Sequence, residues 1–190
     1  MKKTLLMIVI ITVCLSVKSF AQDNEAGMKA WQTYMTPGDV HKMLAQSDGD
    51  WNEEVTFWMQ PGAPPTTSKS KVHNEMILGG RYQLAKHTGD MMGMPFEGMN
   101  LLGYDNAKKI FISTWIDNMG TGVMTLQGPW DEKTNTVNLK GVEVDPMTGK
   151  DMNVRETFQI IDKDTQKLEM FTIINGKESK TMVINLTRNK

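Results

Sequence analysis

The segment "YDNAKKIFISTWIDNMGTG", residues 104–122, decides the fold. Between two clusters of turn-forming residues, Ile110, Ile112, Thr114 and Ile116 alternate with Phe111, Ser113, Trp115 and Asp117. A period of two in β-branched and aromatic residues is that of a strand whose side chains point to opposite faces. The same grammar recurs from Asp50 onward. Turn signals such as "QPGAPP", "LGG", "WDEKTN", "DPMTGK", "DKDTQ" and "NGKE" separate runs near residues 51–60, 67–78, 80–89, 96–104, 109–117, 121–130, 135–142, 151–161, 166–174 and 179–188. That makes about ten strands. Their connections are too short for parallel crossovers, so neighbours must pair antiparallel. A meander of this length removes its exposed edges by closing on itself, and the expected fold is all-β, an antiparallel up-and-down barrel.

Upstream, "TPGDVHKMLAQSDGDW", residues 36–51, changes period. Val40, Met43 and Leu44 recur at helical spacing after Thr36 and Pro37, which suit an N-cap and a first helical position. One short helix ending near Asp48 and Gly49 is expected across an end of the barrel. Residues 22–35 are polar and weakly patterned, as a flexible N-terminus would be. Residues 1–21 combine Lys2 and Lys3, an apolar run from Leu5 to Leu15 and the small-x-small ending Ser19–Phe20–Ala21, the layout of a secretory signal peptide. The expected domains are therefore 1–21, 22–35 and a single barrel over 36–190, in a protein that is exported, periplasmic or secreted.

The one cysteine of the chain, Cys14, lies inside this leader, so an exported product has no disulfide. Loss of Lys2, Lys3 and Lys18 takes the formal charge from −1 to −4. A mildly acidic domain without a basic run gives no reason to expect nucleic acid as a partner, and no membrane-spanning segment is expected once the leader is removed.

Three ordered stretches, "WNEEVTFWMQPGAPPTTSKSKVHNEMILGGRYQ", "PFEGMNLLGYDNAKKIFISTWIDNMG" and "LQGPWDEKTNTVNLKG", resemble the bacterial family known as domain of unknown function 1579, from Val40 to about Leu186. The resemblance implies a calycin-like, lipocalin-like barrel and assigns no reaction. Through that architecture the family is similar to fatty-acid-binding barrels and to heme-binding nitrobindins, although shared fold alone does not carry function.

Candidate sites follow from the strand faces. Trp115 offers an aromatic plate, with cavity wall and solid core standing equal, and Asp117 is expected mainly to tie down the turn after it. Trp58, Met94, Phe96 and Phe111 complete an expected apolar wall or portal for a small ligand. Arg81 and Arg155 are candidates to hold a ligand carboxylate if they face the lumen, with structural ion pairs as the default. A buried Glu156 would need a partner, which Arg81 or Tyr82 could supply.

Met91, Met92, Met94 and Met99 near His87 have the softness for Cu(I), but 15 of the 17 methionines lie outside the leader, and adjacent methionines on a strand do not converge. Apolar gap filling is the better account. His41, His73 and His87 form no metal pair, and no histidine follows His87 to serve as a heme ligand, so no cofactor and no metal are expected. No serine sits in a nucleophile elbow. Glu53 and Glu54 fall on opposite strand faces and cannot form a catalytic acid pair. The expected function is thus binding of a small apolar or amphipathic molecule in the lumen. A filled-core interaction module and an enzyme with a lumenal carboxylate or histidine are the rivals.

Overall fold

A computed structural model describes residues 24–60, 62–174 and 176–190. The expected leader, with Cys14, lies outside the described residues. Residues 24–35, expected to be a loosely patterned N-terminus, are helical and solvent-exposed, and belong to a unit separate from Pro37–Lys190.

In the second unit, a short helix, Asp39–Ala45, precedes eleven strands. They are β1 (Gly49–Phe57), β2 (Thr66–Ile77), β3 (Tyr82–Met91), β4 (Met94–Asp105), β5 (Ile110–Asp117), β6 (Met124–Gly128), β7 (Trp130–Asp131), β8 (Thr136–Val144), β9 (Asp151–Ile160), β10 (Thr165–Ile174) and β11 (Lys177–Arg188). Consecutive strands pair antiparallel except β6 and β7, β1 pairs with β11, and β6 pairs with β8. These contacts close ten strands into a ring, with the two-residue β7 as an accessory bridge to β8.

Closure at β6–β8 depends on two glycines. Gly141 lies opposite Leu126, and a Cβ there would collide with the Thr125 carbonyl oxygen; a Cβ at Gly128 would collide with the Asn138 carbonyl oxygen. Without side chains at these positions the two backbones approach closely enough to exchange hydrogen bonds.

The helix starts later than its sequence suggests. Gly38 is the N-cap, its N–H donating to His41 Nδ1 at 3.1 Å, while the Thr36 hydroxyl donates back to the Gln32 carbonyl at 2.6 Å. The threonine thus closes the preceding helical turn and does not open the next helix. Burial holds the His41 imidazole below its ordinary pKa, and the positive charge of Arg81 adds to the effect. A neutral ring is what an acceptor at this cap requires.

Leu44 inserts fully buried beneath the helix among Leu102, Phe111, Leu126 and Val137. Around it, side chains of the barrel satisfy the carbonyls that the helix end leaves open. Gln83 Nε2 donates to the Leu44 carbonyl (2.9 Å), Trp51 Nε1 and Asn74 Nδ2 donate to the Ser47 carbonyl (2.8 and 3.1 Å), and Gln166 Nε2 donates to Ser47 Oγ (2.6 Å). Arg188 donates to the Gln46 and Asp48 carbonyls across the outer edge. This end is closed by apolar packing over a hydrogen-bonded polar layer, in which Gln166 Oε1 and Asp48 Oδ1 are buried without a partner among the described residues. At the opposite end lie the hairpins β1–β2, β3–β4 and β10–β11 and the turn after β5.

Candidate functional site

Alternation assigns each strand one inward set. On β1 it is Trp51, Glu53 and Val55; on β3, Gln83, Ala85 and His87; on β4, Phe96, Gly98, Asn100 and Leu102; on β5, Phe111, Ser113, Trp115 and Asp117. The mixed face of β5 is therefore the enclosed one, and the isoleucine face is outside.

Beyond the helix-capped half, the enclosed surface is neither uniformly apolar nor uniformly polar. Trp115 stacks on Phe96 with ring centroids 6.3 Å apart and meets the His87 ring edge-on at 5.0 Å. Gly98 makes this possible: a Cβ there would lie 2.6 Å from the indole and 3.1 Å from the Phe96 ring. Trp115 Nε1 donates to Asp117 Oδ2 at 2.7 Å, while Asp117 Oδ1 accepts the N–H groups of Met119 and Gly120. Asp117 thus ties down its turn and also fixes the tilt of the indole, two roles from its two oxygens.

Beside the aromatic plate, His87 Nδ1 lies 3.1 and 3.2 Å from the two carboxyl oxygens of Glu53, and the Ser70 hydroxyl donates to Glu53 Oε2 at 2.7 Å. Glu53 is 4 % exposed. An ionised carboxylate only accepts, so His87 then carries its proton on Nδ1. Ser70 and His87 both address Glu53, so the imidazole does not accept the Ser70 hydroxyl as it would in a serine–histidine nucleophile pair. Deeper in, Asn100 Nδ2 donates to Ser113 Oγ at 2.6 Å.

On the β8–β9 side of the ring stands a carboxyl of a different kind. Glu156 is 8 % exposed, sits in register between Leu139 of β8 and Met170 of β10, and has no hydrogen-bond or ion-pair partner among the described residues. Burial alone pushes its pKa up from 4.5 to about 7. Burial likewise raises that of Glu143, further along the enclosed face of β8.

The other candidates scatter. Arg155 faces outward, forms a two-pronged pair with Glu178 (2.6 and 2.8 Å) and lies 3.9 Å over the Phe171 ring. Phe171 faces outward by the alternation of β10, opposite Lys180. Arg81 is exposed at the β2–β3 turn and donates to the Leu78 carbonyl. Neither arginine reaches the lumen, and neither Arg81 nor Tyr82 partners Glu156, because both are exposed where the β2–β3 turn enters β3.

Phe111 is wholly buried in the core under the helix, between Tyr104 and Trp130. Trp58 lies just past β1, half-buried, with its backbone N–H on the Thr181 carbonyl. Met94 is exposed at the start of β4, and Met92 occupies the turn before it. The structure thus brings together Phe96, Trp115 and Asp117, and separates the rest.

The sequence reading missed Glu53 and His87 as lumenal groups. The signal was present in "WNEEVTF", where Glu53 alternates in phase with Trp51, Val55 and Phe57.

Two surface depressions are present. One, about 600 Å³, runs over β11, β1, β2 and β3, lined by Asn52, Glu54, Lys69 and Lys71 and touching Glu53 and Ser70. The other, about 260 Å³, lies between Met43, Trp130, Lys163 and Gln166 at the helix-capped end.

The sequence profile of the family described as "Protein of unknown function (DUF1579)" matches residues 36–188, and the chain belongs to that family. No curated protein matches the chain. Among solved structures it is similar to Rv2717c from M. tuberculosis, with a TM-score of 0.59 at 12 % identity, over 82 % of this chain and 100 % of that one. At that identity the likeness shows the fold alone. No helix among the described residues is long and apolar enough to cross a membrane.

Proposed function

We propose that this protein holds a small amphipathic molecule inside its barrel. The observation that carries the reading is the composition of the enclosed face beyond the helix-capped half. There the stacked Phe96 and Trp115 adjoin His87, Glu53 and Ser70, and Glu156 faces the interior from β9 between Leu139 and Met170. A barrel whose interior served only as a core would lower its free energy by placing aliphatic side chains at these positions. An aromatic wall with a few fixed polar groups is instead the composition of small-molecule sites. The Lys2–Lys3 start, apolar run and small-residue ending of residues 1–21 support export as the setting.

The test is titration of the chain with dodecanol, followed by tryptophan fluorescence and by native mass spectrometry. A saturable one-to-one complex whose fluorescence change is lost in Trp115→Phe is expected. Absence of any complex rejects the reading.

A second reading has its own observation. On the outer wall, Met99 (43 % exposed), Leu101 (39 %) and Ile116 (39 %) adjoin, with Met99 and Ile116 in register. Such a patch suits contact with another protein. Concentration-dependent association that is abolished by Met99→Lys would favour it.

A further inference from the structure

The proposed lumenal site has a sign, and this inference rests on that reading. Among the described residues, the carboxyl groups on the enclosed alternation are Glu53, Glu143, Glu156 and, at the rim, Asp117, against one histidine, His87, already engaged with Glu53. The lysine and arginine that share this alternation lie at its two ends. Lys177 is exposed at the β10–β11 hairpin, and Arg188 directs its guanidinium to the carbonyls of Gln46, Asp48 and Lys163 beside the helix. Arg155 and Arg81, which could have gripped an anionic head group, are outside.

An alkyl carboxylate entering this space would bring a negative charge toward acidic side chains with no cation to receive it. Glu156 presents the opposite opportunity. Its carboxyl is buried without a partner, flanked across the sheet by Leu139 and Met170 and along its own strand by Val154 and Phe158. A donor that arrives with an apolar body satisfies the carboxyl and covers the apolar wall in one step.

We propose that the lumen selects an amphiphile with a cationic amine head, its ammonium donating to the Glu156 carboxylate, over one with a carboxylate head. The residues in register with Glu156 on the two packed strands, Leu139 and Met170, are uncharged, so no cation beside it competes for the site.

Three probes of equal chain length test this: dodecylamine, dodecanol and dodecanoate, each titrated below micelle formation into the full chain and followed by tryptophan fluorescence and calorimetry. The expected order is amine, alcohol, acid, with the amine favoured over the acid by about tenfold or more. Glu156→Gln keeps shape and neutral hydrogen bonding. It is expected to reduce the preference for amine over alcohol to within about threefold. Arg155→Ala, on the outer wall, is expected to change none of the three.

Dodecanoate binding as tightly as dodecylamine, or an amine preference that survives Glu156→Gln, overturns the inference while the lumenal reading stands. Failure of all three probes to bind overturns both.

Discussion

Replacing Glu156 with glutamine removes a charge from the barrel interior while preserving the side chain's shape, and its effect on stability depends on pH in a calculable way. The carboxyl titrates at about 7 in the folded barrel against an ordinary 4.5, with burial as the cause. Each unit is worth about 1.4 kcal/mol, so the ionised side chain costs the fold about 3 kcal/mol, a sizeable part of the stability of a single domain.

A raised acid holds its proton more tightly in the folded than in the unfolded chain. Its contribution is therefore fully present below 4.5, falls as pH rises through the window, and is lost above about 7. The flanking side chains Leu139 and Met170 are apolar and supply no compensating charge. Carboxylates elsewhere, such as Glu178 beside Arg155 and Asp164 beside Lys190, are held below their ordinary values and shift stability in the opposite direction. They are common to both proteins and cancel in the difference.

Urea denaturation of wild type and Glu156→Gln at about pH 4 and about pH 8 reads that difference directly. The two are expected to be equally stable at the lower pH, and the variant to be more stable by up to about 3 kcal/mol at the higher. A stability difference that does not change with pH would refute the reasoning, since it would mean that Glu156 ionises in the barrel as easily as in water.

Gly98→Ala is expected to lose about 1–3 kcal/mol, because the new methyl group enters the space of the Trp115 indole, and near-UV circular dichroism should report the displaced ring. Ser47→Ala leaves the buried Gln166 amide without its acceptor and should cost about 1–3 kcal/mol in urea denaturation. Arg155→Ala breaks a solvent-exposed ion pair and is expected to change stability by less than about 1 kcal/mol. Dodecylamine affinity should rise about tenfold or more between about pH 5 and about pH 8, because the ammonium binds the ionised form of Glu156, and calorimetry in two buffers should detect the released proton.

The strand count, the antiparallel ring and the capping helix were legible in the sequence because alternation and turn chemistry are local signals that one face of the sheet reinforces at every second residue. Which face is enclosed was less legible. On β5 both alternations are apolar enough to be buried, and only the position of Gly98 across from Asp117, leaving room for the indole, settles that Trp115 faces inward. The arginines misled for a related reason. Arg155 alternates with Glu156, so one charged residue must be enclosed whichever face turns in, and sequence alone favours neither. Packing resolves it through a partner distant in sequence, Glu178, and through the outward ring of Phe171 beneath the guanidinium. The Glu53–His87 contact joins residues 34 apart through a third strand, a pairing that no local pattern carries.

The central claim, that the barrel interior is the binding site, is tested most directly by methyl NMR of the chain labelled at its methionines. Met124, Met152, Met170 and Met182 lie on the enclosed alternation, whereas Met99, Met119 and Met147 are exposed. Addition of dodecylamine is predicted to shift the enclosed set and leave the exposed set in place. Shifts confined to Met99, Met119 and Met147 would place the ligand on the outside and contradict the account.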